Sequence, residues 1–167
     1  LPELNSSGME IQAVFANHDK FIYFVSNRTG YQEIWRYDRD LKSLKQITAL
    51  KALLINWFSL SHGEKNVAVG YRSDNIYLAV IETETGRLQT QVSTPTLRFP
   101  LAWSLDNNTI YASEHQTKIN LFSYDAKTLT QSLFADNSGL YVKELDGKKI
   151  VYIDYNRHAM VEKNLVT

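Results

Sequence analysis

The sequence predicts an all-β fold: a single partial β-propeller domain over residues 1–167, with blades of four antiparallel strands, about three and a half to four of them. Three observations lead there. Apolar residues come in short runs broken by turn residues, not at the i, i+3, i+4, i+7 spacing of a helix face. One stretch, Phe21-Ile-Tyr-Phe-Val-Ser-Asn-Arg-Thr-Gly-Tyr-Gln-Glu-Ile-Trp-Arg-Tyr-Asp38, has two β-branched and aromatic runs joined by a polar turn with Gly30, which is a hairpin signal. That hairpin recurs at Val67 to Glu82, at Ile110 to Asp125 and, more faintly, at Ile150 to Lys163. The spacing, about 40–45 residues, suits a four-stranded propeller blade and not a helical solenoid.

The blades span about residues 11–48, 55–93, 100–135 and 140–167. In the first, strands are expected at Ile11 to Phe15, Phe21 to Ser26, Glu33 to Tyr37 and Leu44 to Ile47. The second gives Ile55 to Ser59, Asn66 to Tyr71, Ile76 to Ile81 and Gln89 to Val92. The third gives Pro100 to Trp103, Thr109 to Ser113, Lys118 to Tyr124 and Gln131 to Phe134. The fourth gives Tyr141 to Lys143, Lys149 to Ile153 and Ala159 to Leu165, with its outer strand missing. Asp, Asn and Gly fill the turns, where left-handed backbone is tolerated. Pro95 and Pro100 lie in the connection between blades two and three, where no ladder donor is lost.

Composition excludes several function classes. Lys plus Arg and Asp plus Glu are 18 each, so no excess of positive charge is available to neutralise nucleic-acid phosphates. The absence of cysteine removes disulfides and Cys-based zinc or nucleophile chemistry. No apolar run is long enough to span a bilayer, so this segment is not expected to insert into a membrane. The chain opens on Leu1 without Met or a signal peptide, from which a continuation upstream is expected.

The repeat carries a recognisable pattern. It reads Phe15-Ala-Asn-His-Asp-Lys20, Ser26-Asn-Arg-Thr-Gly30, Glu33-Ile-Trp-Arg-Tyr-Asp38 and Leu44-Lys-Gln-Ile-Thr48, with copies at Phe58 to Lys65 and Trp103 to Asn108 and a remnant at Leu145-Asp-Gly-Lys148. This resembles the TolB-like, WD-type β-propeller repeat over nearly the whole chain. The resemblance implies that Phe15, Phe58 and Trp103 are core between blades. Lys143 stands where the fourth aromatic would sit, and Tyr141 on the same strand face is expected to replace it. Such repeats occur in periplasmic TolB-type proteins, in propellers attached to serine oligopeptidases, and in exported sensory halves of membrane-anchored winged-helix regulators. The resemblance therefore implies a periplasmic, non-enzymatic binding or sensory module of a Gram-negative bacterium, part of a signalling regulator and tethered to the inner membrane through a segment outside this chain. The alternatives are an accessory propeller of a serine oligopeptidase and a TolB-like envelope scaffold.

No constellation for catalysis, metal or cofactor emerges. His18, His62, His115 and His158 form no His-x-His or His-x-x-x-His pair. There is no Gly-x-Ser-x-Gly elbow and no phosphate loop, and carboxylate pairs such as Asp38 with Asp40 lie in hairpin turns. The loops joining second and third strands carry Arg28, Tyr31, Tyr71, Arg72, His115, Tyr155 and Arg157. Equivalent loops of every blade emerge on one face, so these residues are the candidate binding face for a protein, peptide or small-molecule partner. Against this stands a structural role for Arg28 as a brace of its own turn.

The missing outer strand leaves three expectations for closure: a larger ring, association of two copies through their open edges, or Leu1 to Leu4 supplying the fourth strand of the last blade. The sequence favours the larger ring, since Pro2 weakens so short a strand.

Overall fold

The second strand of an interior unit must lie between two neighbouring sheets, so it must be apolar on both faces. The computed structural model shows this arrangement and describes residues 4, 6–96, 98–115, 117–137, 139–154 and 156–165. Among them are fifteen strands and no α-helix: β1 Glu10–Ala16, β2 Phe21–Ser26, β3 Glu33–Asp38, β4 Ser43–Gln46, β5 Leu54–Leu60, β6 Asn66–Arg72, β7 Ile76–Glu82, β8 Leu88–Ser93, β9 Arg98–Trp103, β10 Thr109–His115, β11 Ile119–Asp125, β12 Gln131–Ala135, β13 Leu140–Glu144, β14 Lys149–Asp154 and β15 Ala159–Asn164. They form three four-stranded meanders, β1-β2-β3-β4, β5-β6-β7-β8 and β9-β10-β11-β12, and a three-stranded one, β13-β14-β15. These sheets are blades 1 to 4. The strand boundaries fall within a residue or two of those predicted.

Alternate residues of each second strand face alternate neighbours, and this alternation builds the cores. Tyr23 and Val25 of β2 join Ile55, Phe58, Val67, Val69 and Ile81 of blade 2 in one cluster. Ala68, with Leu78 and Val80, faces the other way and meets Leu101, Trp103, Ile110 and Tyr124 of blade 3. Tyr111 and Leu121 then meet Ile150 and Tyr152 of blade 4. No apolar cluster among the described residues joins blade 4 back to blade 1.

Polar links reinforce the stack. Gln12 Nε2 donates to the Phe58 carbonyl (3.1 Å) and Trp103 Nε1 to the Ser59 carbonyl (2.9 Å), so β5 is held from both sides. Two glycines mark where blades approach too closely for a side chain. Gly86 has φ +73° and a Cβ there would lie 2.6 Å from the Ile47 carbonyl oxygen. Gly139 has φ +108° and its Cβ would meet that of Leu121 at 2.4 Å.

The register corrects the repeat alignment. Trp103 pairs with Ile110, and the same place on the other innermost strands belongs to Phe15 opposite Ile22, Leu60 opposite Val67 and Glu144 opposite Ile150. Each of the last three in chain order reaches the preceding blade: Leu60 packs on the blade 1–2 core, Trp103 bonds Ser59, and Glu144 Oε2 accepts from Leu105 N at 3.0 Å. Among the described residues no preceding blade covers Phe15, which is 60% exposed, contrary to its expected core role. Phe58 is buried as expected, but two residues away from the Trp103 position. Tyr141 does not replace the missing aromatic either. It sits at a strand irregularity with φ 55° and is exposed, while Val142 packs into the blade 3–4 core.

Leu4 also falls elsewhere than on the last blade. It packs with Ile22, Phe24, Tyr37, Trp35 and Leu44 on the outer face of blade 1. The remainder of the Leu1 to Leu4 segment lies outside the described residues.

Because Trp103 both fills the blade 2–3 core and donates across it, Trp103→Ala should cost about 3–5 kcal/mol. Leu41→Ala, at an exposed turn, should cost less than about 0.5 kcal/mol. Urea unfolding of both variants checks this, and equal midpoints for Trp103→Ala and the parent would overturn the inter-blade placement.

Candidate functional site

The β2–β3, β6–β7, β10–β11 and β14–β15 loops all leave the stack at one end, because every blade runs in the same sense. The seven candidate residues separate into two groups there. Arg28 and Tyr71 belong to the framework, whereas Tyr31, Arg72, His115 and Arg157 are exposed. Tyr155 lies outside the described residues.

Arg28 is the centre of a polar knot, its side chain only 14% exposed. Its Nη2 lies 3.1 Å from Glu10 Oε1 and donates to the Leu4 carbonyl at 3.3 Å, and its Nε donates to Ser26 Oγ at 3.1 Å. The guanidinium lies over the rings of Phe24 (5.3 Å) and Trp35 (5.0 Å), where the π-face attracts it. Hydrogen bonds from Ser6, then from Ser26 and Arg28, hold the Glu10 carboxyl below the usual carboxylate range against the opposing effect of burial. Arg28 thus braces its own turn, its side chain held inside the knot and not extended from the binding face.

Tyr71 does not extend from that face either. It is 4% exposed, its ring stacks on Tyr77 at 5.3 Å and its hydroxyl donates to Gln91 Oε1 at 2.8 Å. Burial pushes its phenol up to about 12. The sequence puts Tyr71 at the junction of strand and loop; it is a β6 residue whose side chain turns into the blade 1–2 core.

The exposed residues sit on rigid supports. Arg72 ends β6, its carbonyl accepting from Leu53 N at 2.8 Å, and its guanidinium forms no ion pair among the described residues. His115 ends β10. Arg157 leans on Asp154 (Nε to Oδ2, 3.5 Å), whose other oxygen accepts the Asn156 and Arg157 backbone N–H groups. Tyr31 precedes Gln32, whose side chain accepts from Ile55 N at 2.6 Å. Buried Glu33 holds the adjoining connection between blades, accepting from Thr48 Oγ1 (2.6 Å), Leu50 N (2.9 Å) and Lys51 N (2.7 Å). No sequence signal distinguishes Glu33 from a surface carboxylate, because its role depends on burial by the next blade.

A cleft of about 650 Å³ opens at the opposite end between blades 1 and 2. Arg36 lies 4.6 Å over the Phe21 ring there, and it and Lys45 both reach Glu84 of blade 2 at 3.4 Å. These two cations are thus matched by Glu84 across the blade boundary. Among the described residues no group of three or more His, Asp or Glu side chains could hold a metal ion.

A buried phenol with a raised pKa stabilises the fold fully below pH about 10, and that contribution is lost as pH climbs towards about 12. Tyr111, buried against Phe134 in the blade 3–4 core, is likewise pushed up to about 12, first by burial and then by Glu144. Alkaline titration of the phenolate absorbance should therefore show Tyr71 and Tyr111 ionising last, together with unfolding. Ionisation of all ten tyrosines near pH 10 with the fold intact would contradict their burial.

No family model and no curated protein sequence matches the chain. Solved structures do. The β-propeller domain of the Trilobed protease from Pyrococcus furiosus is similar with TM-score 0.68 and 11% identity, covering 95% of this chain and 56% of that one. Oligogalacturonate lyase from Vibrio parahaemolyticus gives 0.69 and 12%, covering 91% and 48%. An acylaminoacyl peptidase gives 0.63 and 14%, covering 85% and 27%. The chain thus spans about half or less of these structures. At such identities the likeness shows the fold alone: the chain is a β-propeller arc.

Proposed function

We propose that this chain is a non-enzymatic binding module, a rigid propeller arc that presents Tyr31, Arg72, His115 and Arg157 to a protein or peptide partner. One observation carries the reading: successive loops at one end of the stack display cationic and aromatic side chains, among them Arg72 with no carboxylate partner among the described residues. Arg and Tyr are the side chains that concentrate binding energy at interfaces. Acidic groups, as carboxylates or a peptide terminus, are the chemistry that two guanidiniums and an imidazole would recognise. The TolB-like motifs support a place in the periplasm, in a TolB-like scaffold or in the sensory part of a membrane-anchored regulator. That part of the proposal rests on the motifs alone.

A second reading is favoured by the likeness to propellers of peptidases. There the arc would be part of a ring that gates a separate catalytic domain, and the same loops would face substrate peptides.

A displayed library of random peptides tests the binding reading. Peptides rich in Asp and Glu should be enriched on the parent chain, and combined Tyr31→Ala, Arg72→Ala, His115→Ala and Arg157→Ala substitution should abolish that enrichment with the melting temperature unchanged. Enrichment that survives the four substitutions, or none on the parent chain, would reject this face.

A further inference from the structure

We propose that the connection between blades 1 and 2 carries a docking site for an extended peptide in which an acidic and an apolar residue stand two positions apart. The proposal rests on the peptide-binding role given above and narrows it to Tyr31, Lys51 and Leu53.

This connection is bonded to both blades and is not a loose tether. Gln32 and Ala52 form an antiparallel bridge, with Gln32 N donating to the Ala52 carbonyl at 2.8 Å. Leu53 N donates to the Arg72 carbonyl of blade 2, also at 2.8 Å. Gln32 is 7% exposed and Ala52 0%, so this pair faces inward and the residues beside it face outward. Antiparallel register places Tyr31 across from Leu53. They are 44% and 61% exposed, so two large apolar side chains stand together in water. Single exposed apolar residues are ordinary, whereas a grouped pair on a fixed backbone suits a partner.

Lys51 stands on the other side of buried Ala52. It is exposed, forms no ion pair among the described residues, and has left-handed backbone with φ 51°. That conformation is unfavourable for lysine and is imposed from the core side. The buried Glu33 carboxylate accepts Leu50 N at 2.9 Å and Lys51 N at 2.7 Å. Glu33 is thereby committed to the main chain, which leaves the Lys51 ammonium to an outside carboxylate. Joining two blades requires neither a strained lysine nor an unmatched cation. Strain that the surroundings enforce is a mark of functional positions.

The ligand class follows from this spacing. Lys51 and Leu53 flank one buried residue. An extended peptide likewise presents residues i and i+2 on one face, roughly 7 Å apart. An acid placed over Lys51 therefore brings an apolar side chain against Leu53 and Tyr31. Charge meets charge and apolar meets apolar along one strand of ligand, the usual basis of extended-peptide recognition.

Sequencing the pool enriched from a displayed random-peptide library tests the proposal. Pairs of one acidic and one apolar residue should be enriched at the i, i+2 spacing above all other spacings. Lys51→Glu should exchange the preferred acid for Lys or Arg at that spacing, and Leu53→Asp should abolish the apolar preference, both with unchanged circular dichroism. Lys51→Gly, whose backbone adopts φ 51° readily, should lose the acid preference without any fall in melting temperature. Acidic peptides enriched equally on the parent, Lys51→Glu and Leu53→Asp chains would overturn this site and leave the wider binding face standing. A parent chain that enriches no peptide would overturn both.

Discussion

Every blade in the interior of this stack depends on one constraint: its second strand is pressed between two sheets and has no solvent side. Burying an apolar side chain contributes roughly 1.5–3 kcal/mol, and here both faces of the same strand collect that gain. The requirement explains why Val67 to Gly70 and Ile110 to Ala112 read as unbroken apolar or small runs and not as alternating ones. It also explains the glycines. Gly86 occurs where blade 2 meets the main chain of blade 1 at Ile47, and Gly139 where the start of blade 4 meets the Leu121 side chain of blade 3; a methyl group would force either pair apart.

That constraint decides what the sequence could and could not reveal. The strands were legible because runs, turns and a period of about 40–45 residues follow from the blade itself. Neighbour-dependent roles were not. Phe15 looks like Trp103 in its local sequence, yet among the described residues no neighbouring blade covers its ring. Glu144 looks like a surface residue, but register places it at the Trp103 position, where it caps Leu105 N of blade 3. Val142, and not Tyr141, fills the last core because a strand irregularity between Leu140 and Lys143 turns the tyrosine outward.

The candidate site shows the same division. The sequence put Arg28 and Tyr71 beside Arg72 because all four loops share an end of the stack. Arg28 is consumed by Glu10, Ser26 and two aromatic rings, and Tyr71 by Gln91 and Tyr77. What remains exposed stands on strand ends fixed by buried carboxylates such as Glu33 and Asp154. A frame held in this way allows loop side chains to vary without cost to the core, which is how one fold comes to serve unrelated functions.

The cores straddle blade boundaries, so blades 1 to 3 should open as one unit and not blade by blade. Native-state hydrogen exchange measures this most directly. The amides of Ile22 to Val25, Val67 to Gly70 and Ile110 to Ser113 should exchange with one shared opening free energy, equal to that of global unfolding, while the outer strands β4, β8 and β12 exchange through smaller local openings. Separate, unequal opening energies for the three second strands would contradict a stack whose blades depend on one another.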